Sequence, residues 1–151
     1  MPAPETATRQ RWMSVLARAS ATQLAELLES LPALPACTVL RGPESGLVML
    51  RGRAGGGGSP FNLGEMSVTR CTVRSATGFV GHAYVQGRDQ HQAQLAAELD
   101  AALQDPTLHD KLETAVITPL ATAQQAARAA QAARAAATRV QFFTMAAMRT
   151  S

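Results

Sequence analysis

Apolar residues in the first part of the chain recur at the spacing of an α-helix. They form two stripes, which are Trp12, Val15, Leu16 and Ala19, and then Leu24, Leu27, Leu28 and Leu31. Ser20 or Thr22 suits the N-cap between them, and Pro32 and Pro35 end the second segment because proline cannot continue the hydrogen-bond ladder. The pattern therefore predicts a helical pair over residues 5–31.

Over residues 37–87 the pattern alternates, which is typical of β-strands. We predict four strands here: Cys37 to Arg41, Gly46 to Arg53, Asn62 to Arg74 and Phe79 to Gln86. The string G-P-E-S-G marks a turn between the first two, and A-T-G joins the last two as an antiparallel hairpin. The apolar parity of the third strand changes midway, which either a β-bulge near Thr69–Arg70 or burial on both faces explains.

The helical period returns over residues 88–138. Asp89 or the preceding arginine opens a helix, a further helix starts near Thr107, and Pro119 predicts a kink or break. An Ala-rich tract follows. Alanine has the highest helix propensity but little surface to bury. The tract is therefore either a packing helix in an assembly or a solvated helix of biased composition.

Residues 139–146 alternate again and contain two of the four phenylalanines, so they predict a last strand that returns to the sheet. A chain of 151 residues is one domain of ordinary size. We therefore predict a single α+β domain. It has an N-terminal helical pair, an antiparallel sheet of about four to five strands, and C-terminal helices that include a long Ala-rich one.

A glycine-rich loop over residues 55–60 interrupts the predicted sheet. Its first five residues are Gly55, Gly56, Gly57, Gly58 and Ser59. Without Cβ atoms a ligand or another backbone can approach closely, and consecutive amides can form an anion-binding nest. The loop lacks the lysine of a P-loop and the strand-to-helix context of a dinucleotide fingerprint, so a plain flexible connection is the alternative.

Arginine dominates the charged residues. There are 14 basic and 11 acidic residues, which gives a net charge of +3, and every basic residue except Lys111 is arginine. A mildly basic chain permits an anionic partner without requiring one, and biased genome composition also explains the preference. Arg51, Arg53, Arg70 and Arg74 come from the second and third predicted strands; if these strands are neighbours, same-face arginines could share a phosphate.

Candidate catalytic groups are few. Within the central stretch only Ser59, Glu65 and His82 qualify, and their spacing does not bring them together. A strand or surface histidine is the plainer interpretation of His82. Cys37 and Cys71 do not make a disulfide framework, and neither they nor the three histidines have metal-ligand spacing. We expect no self-contained active site and no metal site.

Other classes are disfavoured by composition. The first dozen residues lack the apolar core of a signal peptide, and no uncharged run of about 18 apolar residues exists. We expect no membrane span and a cytoplasmic location. Two short helices before strands could suggest a DNA-reading head, but Glu26 and Glu29 would repel phosphate.

Several local strings resemble a known family. They are LRGPESGLVMLRGRAGGGGSPFNLGEMSVTRCTVR, GHAYVQGRD, LETAVITPL and AATRVQFFTM, in this order. They are similar to the PhnG family of small subunits of the carbon–phosphorus lyase system. The resemblance implies a cytoplasmic hetero-oligomer, with two copies of this chain, that contains PhnI, PhnH, PhnJ and PhnL.

The resemblance also implies a role. The family supports displacement of adenine from MgATP by an alkylphosphonate, giving ribose 1-alkylphosphonate 5-triphosphate. MgATP would be a substrate of the complex, with no cofactor bound by this chain, and no catalytic residue carries over. We expect an anion-binding or interface role for Arg51, Arg53, the Gly55–Ser59 loop, Arg70 and His82. A scaffold without substrate contact and a small basic nucleic-acid-binding protein are the alternatives.

Overall fold

Antiparallel strands form one sheet in the part of the chain that the structure describes. The structure is a computed structural model, and it describes residues 6–54 and 57–139. The strands are β1 (Cys37–Gly52), β2 (Phe61–Ser75) and β3 (Val80–Gln86), in the spatial order β1-β2-β3. The α+β class and the predicted hairpin between the last two strands are confirmed.

The described residues form three strands rather than the four predicted over residues 37–87, because the first two predicted strands are one. β1 continues through G-P-E-S-G, and its register with β2 shifts between Val39 and Arg41 and again between Arg41 and Glu44. Gly42 absorbs the irregularity with a φ of 74°, and an added Cβ there would lie 2.5 Å from the Arg70 carbonyl oxygen. Turn-forming residues here make a bulge inside one long strand.

The parity change in β2 has a related explanation. β2 pairs with β3 without interruption from Val68 to Arg74, so the irregularity lies in β1 rather than near Thr69–Arg70. Val68 and Thr69 are neighbours, yet both are buried. Burial on both faces, the second of our two interpretations, therefore accounts for the pattern. The predicted return strand over residues 139–146 lies outside the described residues, apart from Arg139.

The predicted helical pair is confirmed as α1 (Thr6–Leu16) and α2 (Ala21–Glu29). The side chain of Ser20 caps α2 and accepts a hydrogen bond from the Gln23 amide, while the Gln23 side chain bonds back to the Ser20 amide. The first apolar stripe is fully buried. Both stripes belong to the hydrophobic core or pack against it.

Helix α3 (Gln90–Leu103) begins at the N-cap Asp89, as predicted, and packs directly on β3. The closest approach is at Gly81, where an added Cβ would overlap the Ala97 carbonyl oxygen and lie 2.6 Å from the Ala101 amide. The absent side chain lets helix and strand backbones touch.

One buried carboxylate joins three elements of the core. Asp100 of α3 has no exposed surface and accepts hydrogen bonds from Trp12 Nε1 (2.8 Å), Arg9 Nη2 (2.7 Å) and the His82 amide (2.9 Å). The His82 amide belongs to the edge strand β3. Asp100 therefore ties α1 and α3 to that edge, and its charge is compensated by Arg9.

The chain continues through α4 (Pro106–Leu112), a π-helical segment (Glu113–Ile117) and α5 (Thr118–Ala137). Pro119 does not break the helix; the wider π-helical turn immediately before it provides the irregularity instead. The chain divides into two compact units, residues 1–121 and 122–151. In the second unit the described residues from 125 onwards are exposed, so both interpretations of the Ala-rich tract remain predictions.

Candidate functional site

The hairpin of β1 and β2 extends beyond the end of β3. β3 ends where Gln86 opposes Val68, so residues 47–52 and 61–67 form a two-stranded ribbon, which we call the arm. Five large apolar side chains of the arm are exposed: Leu47 (62%), Met49 (51%), Leu50 (38%), Phe61 (46%) and Leu63 (65%). Exposed clusters of large apolar side chains are typical of interaction surfaces.

The arm is apolar on both faces. Leu47 opposes Ser67 and Met49 opposes Glu65 on one face, because directly opposed residues point to the same side of a sheet. Leu50 opposes Gly64 on the other face. One buried face would suffice for a strand that lies on a core, so two apolar faces fit a ribbon enclosed by a partner.

The end of the arm carries two cations, Arg51 and Arg53, which we call the tip. Arg51 and Arg53 are exposed, and neither guanidinium has a hydrogen-bond partner within the described ranges. The Gly58 amide already donates to the Ala54 carbonyl at 3.4 Å, so it is not available to a ligand. Gly55 and Gly56 lie outside the described residues. Gly57 and Ser59 are exposed, and the predicted anion nest stays a prediction.

A second cationic group lies on the side of the sheet that faces away from α3, which we call the outer face. Two rows of opposed residues define it: Arg41, Thr72 and His82 in one row, and Glu44, Arg70 and Tyr84 in the next. Glu44 Oε1 accepts a hydrogen bond from Arg41 Nε at 2.9 Å and another from Arg70 Nε at 2.8 Å. These bonds, first from Arg41 and then from Arg70, lower the pKa of Glu44.

A cavity of about 280 Å³ opens on the outer face. Its lining includes Met13, Arg41, Arg70, Thr72, His82 and Tyr84. A hydrogen bond of 3.2 Å between Nδ1 and Thr72 Oγ1 orients the His82 ring. The His82 backbone amide donates a second hydrogen bond to Asp100. The cavity therefore combines two guanidinium groups with an imidazole and two hydroxyl groups.

The predicted site residues do not form one site. Arg51 opposes Asn62, whereas Arg70 lies eight residues further along β2. At about 3.4 Å per residue, that separation is roughly 27 Å. The strands are neighbours, as the shared-phosphate prediction required, but the register places their arginines too far apart for that prediction to hold. Arg51 and Arg53 belong to the tip, and Arg70 and His82 belong to the outer face.

The candidate catalytic groups are equally separated. Ser59 lies beyond the arm strands, Glu65 lies within the arm opposite Met49, and His82 lies on β3. Among the residues with assigned positions, no group of three or more His, Cys, Asp or Glu side chains could hold a metal. No helix in the described ranges combines the length and apolarity needed to span a bilayer.

Both thiols are free and are unfavourable nucleophiles. Burial, and then the nearby charge of Glu98, raises the pKa of Cys37 and of Cys71. Each thiol is therefore held in its protonated form, which is the unreactive one.

Sequence reasoning missed four members of the outer face: Arg41, Glu44, Thr72 and Tyr84. Arg41 and Glu44 were assigned to a strand end and a turn, so their side-chain directions could not be predicted. One signal was available: His82 and Tyr84 are two residues apart on the same strand, so their side chains lie on the same face. That spacing did not show that this face lies next to residues of β1.

The fold and surfaces define a class of protein: a small helix-backed antiparallel sheet that presents an apolar arm and cationic groups for binding. The family profile described as phosphonate metabolism protein PhnG matches residues 7–148. The alpha-D-ribose 1-methylphosphonate 5-triphosphate synthase subunit PhnG of Rhizobium meliloti (strain 1021) is 45% identical over 139 residues, which cover 92% of this chain and 88% of that protein. The chain belongs to the PhnG family of phosphonate metabolism proteins.

Proposed function

We propose that this chain is a non-autonomous subunit of a synthase complex in phosphonate catabolism. In this complex an oxygen of an alkylphosphonate bonds to the ribose C1 of MgATP as the bond to adenine breaks, giving ribose 1-alkylphosphonate 5-triphosphate. The support is membership of the PhnG family and 45% identity to a subunit named for that synthase. Partner subunits supply the catalytic groups, and PhnI is the partner that we assign to bond breaking.

The observation that carries the subunit role is the arm. Leu47 and Leu63 are each more than three-fifths exposed, and the apolar side chains occur on both faces of the ribbon. Burying such side chains is worth roughly 1.5–3 kcal/mol each, which the isolated chain does not gain. We propose that a partner subunit encloses the arm in a hetero-oligomer with PhnI, PhnH, PhnJ and PhnL. The assembly would contain two copies of this chain and function in the cytoplasm.

The tip has a separate role in this proposal. A docked arm would carry Arg51 and Arg53 into the partner, where each guanidinium can offer several donors to a phosphate or phosphonate oxygen. Both side chains are exposed. They would lie beside the nucleotide or phosphonate pocket of the catalytic subunit, without carrying out chemistry themselves.

Two variants test these roles in a reconstituted complex. Leu63→Ser removes apolar surface from the arm, so we expect weaker co-purification and little change in the free energy of unfolding. The double variant R51A/R53A leaves the apolar surface intact, so we expect normal assembly and a loss of at least about tenfold in kcat/KM, because two charge-assisted contacts disappear.

The matched control is R18A/R88A, which removes the same charge from two exposed arginines outside the arm. Full co-purification and turnover with Leu63→Ser would contradict the docking role. Normal turnover by R51A/R53A in an intact complex would remove the substrate role of the tip. Loss of assembly in R51A/R53A, with unchanged KM in the remaining complex, would instead favour a scaffold whose arginines meet acidic partner residues.

A further inference from the structure

Two guanidinium groups on the outer face share one carboxylate. The Nε atoms of Arg41 and Arg70 both donate to the same oxygen of Glu44. Two positive charges and one negative charge leave one net positive charge in this group. Within the part of the chain that the structure describes, the Nη groups of both arginines have no hydrogen-bond partner. Glu44 therefore orients both guanidinium groups through Nε and leaves their Nη donors available to a ligand.

The surroundings of these forks are concave, and they combine polar side chains with the apolar Met13, Cys71 and Ala83. The cavity of about 280 Å³ is lined by both arginines and by Thr72, His82 and Tyr84. This volume suits a compact polar group and is just below the usual range for small-molecule pockets. Paired guanidinium groups match the geometry of a tetrahedral oxyanion, because each can bond two of its oxygens.

We propose that this outer-face cavity binds a phosphoryl-class oxyanion, a phosphate or phosphonate group, between Arg41 and Arg70. The Tyr84 hydroxyl and one donor from the hydrogen-bonded pair of Thr72 and His82 complete the donor set. Surface ion pairs contribute little to stability, so the shared carboxylate is better explained as a device that positions two arginines for a ligand. The cavity lies roughly 27 Å from Arg51 by the strand register. The inference therefore does not rest on the role proposed for the tip.

The test is a titration of the full-length chain at low ionic strength, followed by two-dimensional amide NMR. The probes are inorganic phosphate, methylphosphonate and tripolyphosphate. We expect saturable shifts at Thr72, His82 and Tyr84, and a loss of affinity of about tenfold or more in Arg41→Ala and in Arg70→Ala. The relative affinities of the three probes identify the source of the group, whether free phosphate, a phosphonate or a triphosphate chain.

Arg74→Ala is the matched control. Arg74 lies on the same strand and face, is exposed, and does not line the cavity. We expect this variant to bind as the parent does. An equal loss in Arg74→Ala and Arg70→Ala would overturn the proposal, since it would indicate only general attraction to a basic surface. Unsaturable or absent binding of all three probes would also overturn it.

Two further outcomes decide the matter. If Arg70→Ala does not fold, Arg70→Lys replaces it, because lysine keeps the charge but lacks the planar guanidinium group. An affinity of Arg70→Lys for the probes equal to that of the parent would overturn the proposal. If the arginine variants lose co-purification with partner subunits while no probe binds, the cavity serves an acidic polypeptide segment instead, and the oxyanion proposal fails.

Discussion

Gly81 is the position where the fold should be most sensitive to one methyl group. It lies on β3, beneath α3, and is buried. In Gly81→Ala the new Cβ would overlap the Ala97 carbonyl oxygen, and would lie 2.6 Å from the Ala101 amide and 2.9 Å from the Ala101 Cβ. The first two of these atoms are helix backbone. Rotating a side chain therefore cannot relieve the overlap, and α3 has to move away from the sheet.

The magnitude follows from what that movement breaks. Overpacking in a filled core costs about 1–3 kcal/mol. The adjacent residue, His82, donates its amide to Asp100 of α3 at 2.9 Å, and this bond lengthens when the helix moves. Leaving a buried donor without a partner costs about 1–3 kcal/mol more. We expect Gly81→Ala to lower the free energy of unfolding by about 2–6 kcal/mol, which corresponds to roughly 4–24 °C in Tm.

Urea unfolding monitored by circular dichroism and Trp12 fluorescence measures this difference. Gly64→Ala is the control, because an added Cβ at Gly64, on strand β2, meets nothing within 4 Å. This control should be neutral or more stable by up to about 1 kcal/mol, since alanine restricts the unfolded chain. A loss of less than about 1 kcal/mol for Gly81→Ala would refute the close contact between α3 and β3.

Two further predictions concern carboxylates. Asp100→Ala should lower the free energy of unfolding by about 3–5 kcal/mol, because it leaves Trp12, the His82 amide and an arginine without their buried acceptor. As the comparison, Arg11→Ala removes an exposed ion pair and should lower the free energy of unfolding by about 1 kcal/mol or less in the same urea titration. The pKa of Glu44 is lowered in the folded chain, so its contribution to stability is present above its ordinary value of 4.5 and is lost as the pH falls through the lowered folded value. The stability difference between the parent and Glu44→Gln should therefore narrow below pH 4.5, and a difference that widened there would contradict the bridge.

Membership of the PhnG family and the two exposed surfaces are complementary. The arm explains why the chain would need a partner, because its apolar side chains gain nothing in water. The outer face explains how it could meet a charged ligand, because two arginines are held there by one carboxylate. The two surfaces occupy different parts of the same sheet, and variants can separate their functions.

The local elements could be predicted from the sequence because their determinants are local. The helical pair followed from apolar residues at a spacing of three and four and from the prolines that end it. The cap of α3 followed from Asp89, and the hairpin of β2 and β3 followed from a short connection. Each of these signals acts within a few residues, so no distant contact was needed to interpret it.

Only the tertiary structure decided what depends on register and on distant partners. G-P-E-S-G reads as a turn, but pairing with an uninterrupted β2 turns it into a bulge, which removes one predicted strand. The same register separates Arg51 from Arg70. Asp100 resembles a solvated helix residue until Arg9 and Trp12 reach it from 91 and 88 positions away. Periodicity determines which face of an element is apolar, whereas packing determines what that face meets.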